Sequence, residues 1–157
     1  SRNMFMNATH VAHNCIVGND VIYVGYAGTA GYCEIFDNVL ISGLVGIHQF
    51  CRVGRFAIIS GGSVFSKDIP PFMMAEGRDG GVKINKVGLQ RAGFSTETIS
   101  VIKQIFRIYY RSGLIPTNAL ERIRTELPQI PEVREFIHFC ETSKKGVISA
   151  QVEGHRS

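Results

Sequence analysis

The histidines are the residues of this sequence best suited to chemistry. Two of them lie three residues apart in the stretch ATHVAHNCIVG, residues 8–18. An imidazole can take a proton from a hydroxyl group near neutral pH, bind a metal ion, or stay unreactive. Three extended residues span about 10 Å, whereas two ligands of one zinc ion must each come within about 2.1 Å of it. The spacing of His10 and His13 therefore disfavours a shared metal, and we predict neither a metal nor a cofactor.

A six-residue period surrounds these histidines and predicts the elements that position them. Two series of positions, stepping by six from Val11 and from Cys15, are each apolar at nine of ten places. Such a hexapeptide repeat is typical of short parallel strands joined by corners, with three hexads in each triangular coil. The residues of both series are predicted to point inward and to form the core.

The same period brings a third histidine close to the first two. His13 and His48 are separated by one residue less than two coils, so both are predicted on one edge, roughly 10 Å apart. Two imidazoles that face one groove at this distance leave room for a sugar-sized group. The spacing alone leaves two interpretations open, a proton acceptor in a groove and exposed edge histidines without chemistry.

Three cysteines recur at the length of one coil. Cys15, Cys33 and Cys51 are predicted to form an internal column, in which parallel side chains point the wrong way for a disulfide. We interpret them as unreactive buried thiols, typical of a reducing compartment, and predict a cytoplasmic protein. No apolar run reaches the roughly 18 residues of a membrane-spanning helix, so no membrane span is predicted.

The repeat ends at Pro70 and Pro71, because proline cannot donate to a strand ladder. Helical patterns resume only after the flexible stretch EGRDGGVKIN. The predicted divisions are a β-helix of about three to four coils over 1–70, a connecting loop over 71–94, a helical domain over 95–147, and a tail over 148–157.

Three helices are predicted in the second half. Ser95 is a typical N-cap, and an apolar stripe follows it as far as Gly113. Thr117 is predicted to begin the second helix, and Pro131, a residue favoured at the first helical position, begins the third. We interpret their apolar stripes as core contacts and not as a cofactor site.

The positive charge is unevenly distributed. The net charge is +4, and residues 1–69 contain four basic and four acidic residues, so the whole excess follows them. Residues 78–111 alone contain seven basic and two acidic side chains. An acidic partner is therefore expected at the C-terminal half. Aromatic and basic residues do not interleave there, and no nucleic-acid partner is predicted.

Four stretches occur in an order that resembles one family. They are ATHVAHNCIVGN, GIHQFCRVG, SGGSVFSKDIPPFMMAEG and NKVGLQRAGF, and three predicted helices follow them. Together, over residues 3–147, they are similar to the acyl carrier protein–UDP-N-acetylglucosamine O-acyltransferases that open lipid A biosynthesis. The resemblance implies an all-β left-handed parallel β-helix followed by an α-helical domain. It also implies a homotrimer with sites between subunits, and transfer of a 3-hydroxyacyl group from acyl carrier protein to the 3-position of UDP-N-acetylglucosamine.

The resemblance also implies roles for individual residues. His13, the second histidine of HVAH, would be the general base, and His10 would hold the sugar nucleotide or order the base. Gly31 would donate its backbone N–H to the developing oxyanion. The remaining substrate-binding residues implied by the motifs are His48 and Gln49 at the sugar and pyrophosphate, Tyr32 at the sugar, Asn85 and Arg91 at uridine and phosphate, and Gly61 beside the acyl chain.

The sequence departs from the family pattern in three places. Most of the coils that precede HVAH in the family are missing, Tyr32 stands where the family usually has histidine, and Gly25–Tyr26 replace an Asn-rich corner. Because missing coils would expose a strand edge, we expect the sequence to be a fragment of a longer chain. The alternative function is a trimeric module that binds acyl carrier protein or sugar nucleotide without turnover. A third alternative, an N-acyltransferase of the same repeat superfamily, is disfavoured by GLQRAGF. The expected acceptor is UDP-N-acetylglucosamine or its 3-amino analogue.

Outward-facing aromatic residues independently favour the trimer. Tyr26, Phe36 and Phe50 fall at positions of the repeat that do not point inward. A monomer would leave these rings in water, whereas an interface between copies would bury them.

Overall fold

The computed structural model describes residues 2–78 and 80–150. The strands are β1 (Met4–Phe5), β2 (His10–Val11), β3 (Ile16–Val17), β4 (Ile22–Tyr23), β5 (Gly28–Thr29), β6 (Glu34–Ile35), β7 (Leu40–Ile41), β8 (Gly46–Ile47), β9 (Arg52–Val53), β10 (Ile58–Ile59), β11 (Val64–Phe65), β12 (Met73–Glu76) and β13 (Gly80–Ile84). The helices are α1 (Lys86–Arg91), α2 (Thr96–Arg111), α3 (Pro116–Glu126) and α4 (Pro131–Glu141).

Every third strand pairs in parallel, so the first eleven strands wind into a triangular coil with three sheets. Sheet A has the order β1-β4-β7-β10-β12-β13, sheet B the order β11-β8-β5-β2, and sheet C the order β3-β6-β9. Paired residues are separated by one full coil. For example, His10 pairs with Gly28, and Gly28 pairs with Gly46. This is the left-handed parallel β-helix that the repeat and the resemblance predict.

Each corner of the coil contains one residue with positive φ. Ten such residues, with φ between 56° and 70°, are not glycine, and they recur mostly at steps of six from Ala8 to Phe72. This conformation costs roughly 1–2 kcal/mol for a residue with a Cβ atom. It lets the corner N–H bond to the coil before it, as Tyr32 N–H does to the His13 carbonyl at 3.2 Å. The corners therefore hold outward side chains in a fixed vertical column.

The predicted inward positions form the core. From Val21 to Ile69, both series are buried in every coil. The two polar members, Thr29 and Ser63, have hydrogen-bond partners: the Thr29 Oγ1 lies 3.4 Å from the Tyr23 hydroxyl, and the Ser63 Oγ accepts the Gly77 N–H at 3.1 Å. All described cysteines are free thiols, and Cys33 donates to the His48 carbonyl at 3.0 Å. Burial raises the pKa of the Cys33 thiol to about 11, which disfavours a reactive thiolate.

The prediction of a connecting loop over 71–94 is wrong. This segment forms the antiparallel hairpin β12–β13, which extends sheet A, and then the short helix α1. Met73 and Ala75 point into the core, so the strand is stabilised by the same burial as the coils. The six-residue period does not predict this strand, because Met74 pairs with Ile58 and follows it by two residues less than a full coil.

The three predicted helices are present. Ser95 caps α2, where its Oγ accepts the Thr98 N–H at 3.1 Å, and α2 ends at Arg111, two residues before the predicted Gly113. Pro116 and Pro131 occupy the first helical positions of α3 and α4. Within residues 2–78 and 80–150, no helix has both the length and the apolar character that a membrane crossing requires.

The first residue of the predicted tail belongs to the packed structure. Ile148 is fully buried, and its carbonyl accepts the Tyr110 hydroxyl at 3.0 Å. Residues 151–157 of that prediction lie outside the described part of the chain.

A buried carboxylate connects the coil to the segment after α4. Asp68 is 1% exposed and accepts the Arg52 backbone N–H at 2.8 Å and the Ser143 hydroxyl at 2.6 Å. The Arg52 guanidinium lies 3.5 Å from the same carboxylate and also donates to the Phe139 carbonyl at 2.7 Å. A second ion pair joins Arg55 to Glu135 on α4 at 2.8 Å. These contacts fix the helices against sheet C.

Candidate functional site

Most predicted site residues meet at the edge between sheets B and C, called the BC corner here. Its corner residues are linked by hydrogen bonds from Tyr32 N–H to the His13 carbonyl at 3.2 Å and from Phe50 N–H to the Gly31 carbonyl at 3.1 Å. One column at this corner therefore contains the predicted residues His13, Gly31, Tyr32, His48 and Gln49. The placement of His13 and His48 on one edge agrees with the spacing argument.

Gly31 makes a slot for the imidazole of His13. A Cβ atom on Gly31 would lie 2.8 Å from Cε1 and 3.0 Å from Nε2 of His13. A side chain at this position would force the exposed His13 ring to shift, although the backbone itself would accept one, because the φ of Gly31 is not positive. Among the described residues, the Gly31 N–H donates to no acceptor. The slot places an imidazole beside an unbonded N–H, a proton acceptor next to a hydrogen-bond donor.

An aromatic ladder, defined as the rings of His13, Tyr32 and Phe50, runs down the BC corner. The His13 and Tyr32 ring centroids are 5.3 Å apart and nearly perpendicular, at 87°. The Tyr32 and Phe50 rings stack at 5.0 Å and 11°. Phe50 was predicted as an interface residue and not as part of the site. Its position two full coils from Asn14, next to Gln49, was visible in the period.

The outer face of sheet B carries a bare strip next to this corner. His10 lies on this face in β2, exposed, and the strand positions below it are Gly28 and Gly46, called the glycine strip. A Cβ atom on Gly46 would meet nothing within 4 Å, and one on Gly28 would meet His10 at an ordinary 3.5 Å. Neither glycine has positive φ. Glycine inside a strand is destabilising by roughly 0.5–1 kcal/mol and often marks close approach of a ligand or backbone.

Gly61 lies at the next edge of the triangle. Its corner, between sheets A and B, contains Gly25, Gly43 and Gly61 in one column, and Gly62 N–H bonds to the Gly43 carbonyl at 2.9 Å. The glycine strip separates this corner from His13. On sheet B, the outward strand positions between His10 and Val64 therefore lack side chains, whereas Tyr26 and Leu44 are exposed at the corner beside Gly25 and Gly43.

Asn85 and Arg91 lie away from both corners, at the ends of α1. Asn85 is 3% exposed, its amide donates to the Phe56 carbonyl at 2.8 Å, and its oxygen accepts the Gly88 N–H at 3.0 Å. It therefore acts as a buried helix cap, and its predicted contact with the nucleotide stays a prediction. Arg91 is exposed in the last turn of α1 and forms no salt bridge with any described residue.

Phe36 differs from the interface prediction. Phe36 is partly buried, because its ring packs against Phe139 of α4 at 5.9 Å between ring centroids. The expectation that a monomer leaves this ring in water is wrong. Tyr26 and Phe50, by contrast, are 70% and 54% exposed.

Comparisons with known proteins decide the family. The profile described as UDP N-acetylglucosamine O-acyltransferase, domain 2, matches residues 68–148, just over half of the chain. The acyl-[acyl-carrier-protein]–UDP-N-acetylglucosamine O-acyltransferase of Myxococcus xanthus is 45% identical over 148 residues, which are 94% of this chain and 57% of that protein. The protein of the same name from Thiobacillus denitrificans is 37% identical over 147 residues, 93% of this chain and 57% of its own.

The chain belongs to the UDP-N-acetylglucosamine O-acyltransferase family. A solved UDP-N-acetylglucosamine acyltransferase from Francisella novicida superposes with a TM-score of 0.88 at 33% identity, over 96% of this chain and 56% of that one. The resemblance found from the motifs is thereby confirmed, as is the fold. This family member spans little more than half the length of the relatives it matches.

Proposed function

We propose that this chain transfers a 3-hydroxyacyl group from acyl carrier protein to the 3-hydroxyl of UDP-N-acetylglucosamine, the first step of lipid A biosynthesis. The observation that carries the proposal is the slot at Gly31, where the His13 imidazole lies beside an unbonded backbone N–H. The names of the relatives support the substrates. The proposal includes the cytoplasmic location predicted from the cysteines.

The slot accounts for each proton and bond of the transfer. His13 takes the proton from the sugar 3-hydroxyl as that oxygen attacks the thioester carbonyl. The carbonyl oxygen gains negative charge, which the Gly31 N–H stabilises as hydrogen-bond donor. The carbon–sulfur bond then breaks, and the imidazolium returns its proton to the sulfur of acyl carrier protein. His10, Tyr32, His48, Gln49, Asn85, Arg91 and Gly61 are proposed to bind the two substrates.

A direct transfer assay tests this function. The chain is incubated with 3-hydroxyacyl-acyl carrier protein and UDP-N-acetylglucosamine, with the 3-amino analogue as a parallel acceptor, and products are identified by mass spectrometry. Ester formation on the hydroxyl acceptor is the expected result. Binding of the sugar nucleotide without transfer favours the non-catalytic module, and transfer to the amine alone overturns the O-acyltransferase.

A homotrimer with sites between copies is part of the proposal. The predicted site residues lie on different edges of one triangular coil, with His13 at the BC corner and Arg91 on α1 beyond another edge. Neighbouring copies around a threefold axis can bring such edges together. The exposed rings of Tyr26 and Phe50 agree with an interface at these edges.

Subunit mixing tests the shared site. We expect His13→Ala and Arg91→Ala chains to be nearly inactive alone and to regain activity when mixed, because about one quarter of the shared sites then combine two intact contributions. Light scattering should give three times the chain mass. A monomer at micromolar concentration, or no recovery on mixing, would contradict the shared site.

The outer face of α2 is proposed to dock acyl carrier protein. Lys103, Arg107 and Arg111 follow one another at four-residue steps, and none forms a salt bridge with a described residue. Like charges at this spacing destabilise a helix by about 0.2–0.5 kcal/mol per pair. The arginines of α3 are instead paired with glutamates. An unpaired basic row is suited to an acidic partner.

The glycine strip is proposed to accommodate the acyl chain on its way to Gly61. We expect Gly46→Leu to reduce transfer of long acyl chains by about 10-fold or more, while short-chain transfer changes little, because the new side chain occupies the strip without touching His13. Gly46→Ala should show a smaller effect of the same kind. Rates with donors of increasing chain length supply the measurement. An equal loss with all donors would indicate damage to the fold and contradict this path.

A further inference from the structure

We propose that Tyr32 and Phe50 are positioning residues that hold the imidazole of His13 in its catalytic orientation. This inference rests on the proposed function of His13 as general base. It starts from the aromatic ladder, in which Tyr32 contacts His13 edge-to-face and Phe50 stacks on Tyr32.

The need for such a device follows from the surroundings of His13. A general base is usually oriented by a hydrogen bond from a third group. Among the described residues, no hydrogen bond reaches the His13 ring. The ring is exposed and meets the bare backbone of Gly31 in its slot. The slot limits how closely the His13 ring can approach the coil. The edge-to-face contact with Tyr32 can limit the rotation of that ring.

Perpendicular aromatic pairs have enough energy for this purpose. An edge-to-face contact shifts the balance between side-chain rotamers by about two- to tenfold. Tyr32 is itself 48% exposed, so its own ring needs support. Phe50 supplies that support by stacking one coil further along, at 5.0 Å and 11°. Phe50 therefore acts on His13 through Tyr32.

The corner backbone makes the ladder possible. Tyr32 and Phe50 have φ of 60° and 65°, which directs both side chains outward from equivalent corner positions. Leu44 occupies the same kind of position with φ of 60°. Leucine is thus tolerated at such a corner, and replacement by leucine removes the ring while preserving the backbone.

The test compares Phe50→Leu, Tyr32→Leu and Tyr32→Phe, with Tyr26→Leu as control. Tyr26 is also an exposed corner ring with positive φ, at 62°, but lies at another edge. All variants are compared under conditions that give the same assembly state by light scattering. The measurements are kcat, KM and the NMR signals of the His13 ring, which report its rotamer averaging.

We expect Phe50→Leu and Tyr32→Leu to lower kcat by about 3- to 30-fold and to average the NMR signals of the His13 rotamers. KM should change little in Phe50→Leu, whereas Tyr32→Leu should also raise KM for the sugar nucleotide, because Tyr32 is proposed to bind the sugar as well. Tyr32→Phe should recover most of the loss seen in Tyr32→Leu, and Tyr26→Leu should change kcat by less than about twofold. If Tyr32→Phe loses as much as Tyr32→Leu, the hydroxyl matters and the ladder is overturned.

The NMR readout separates this inference from the proposed function. If the unmodified chain transfers no acyl group but Phe50→Leu averages the His13 signals, the ladder stands and the reaction assignment fails. If the His13 signals are unchanged in both leucine variants, the ladder fails whatever the activity.

Discussion

We expect the replacement of His13 by alanine to lower the turnover number by about 10²–10⁴-fold, the usual contribution of a general base, which is the role proposed for His13. The variant retains the Gly31 N–H, so it keeps the proposed oxyanion donor and loses only the proposed proton acceptor. The effect is expected in kcat, measured with saturating acyl carrier protein and UDP-N-acetylglucosamine.

His10→Ala is the matched control. His10 lies on the face of sheet B, three residues from His13, and is also exposed. Its loss should raise KM for the sugar nucleotide and leave kcat within about 10-fold, because it binds or orders and does not accept the proton. Undiminished transfer by His13→Ala, or equal losses of kcat in both variants, would remove the base assignment.

We expect the replacement of Asp68 by alanine to lower the free energy of unfolding by about 3–5 kcal/mol, because it removes one partner of a buried ion pair. The change deprives the Arg52 N–H and the Ser143 hydroxyl of their acceptor and leaves the Arg52 guanidinium with less compensation. Urea unfolding followed by circular dichroism measures the free energy of unfolding. The value for Asp68→Asn should lie between those of the unmodified chain and Asp68→Ala, because an amide oxygen can still accept a hydrogen bond.

Asp20→Ala provides the contrast for this experiment. Asp20 pairs with Arg2 at 2.8 Å on the exposed surface, where ion pairs contribute little to stability. The urea midpoint of the Asp20→Ala variant should be close to that of the unmodified chain. Similar midpoints for Asp68→Ala and Asp20→Ala would show that the contact between the coil and the segment after α4 does not stabilise the fold.

The coil was predictable because its rule is local and repeated. Once Val11 and Cys15 set the two inward series, the later strands as far as Phe65 and the edge shared by His13 and His48 followed. The hairpin at Met73 was missed since it pairs two residues out of step with the coil. The sequence showed where such a rule ends, but not that the next apolar residues extend the same sheet.

The details of the site depend on ring directions and non-local contacts that a period does not contain. The stacking of Phe50 on Tyr32 follows from positive φ at two corners one coil apart. The cover of Phe139 over Phe36 depends on how α4 docks, and the buried position of Asn85 depends on an unpredicted helix. The resemblance assigned Gly31 and His13 to one site, whereas the close approach of the His13 ring to Gly31 became visible only in the structure.

The one-coil register also determines how this protein can change during evolution. Insertions that preserve both the inward series and the sheet to which each strand belongs must add whole coils, and each coil lengthens the solenoid by about 4.8 Å. A six-residue insertion between His13 and Gly31 would keep the inward series but move Gly31 to another edge. Length in this architecture is therefore adjusted in fixed increments. Finer tuning must come from single outward positions such as Gly28 and Gly46, where a side chain can be added or removed while the coil stays in register.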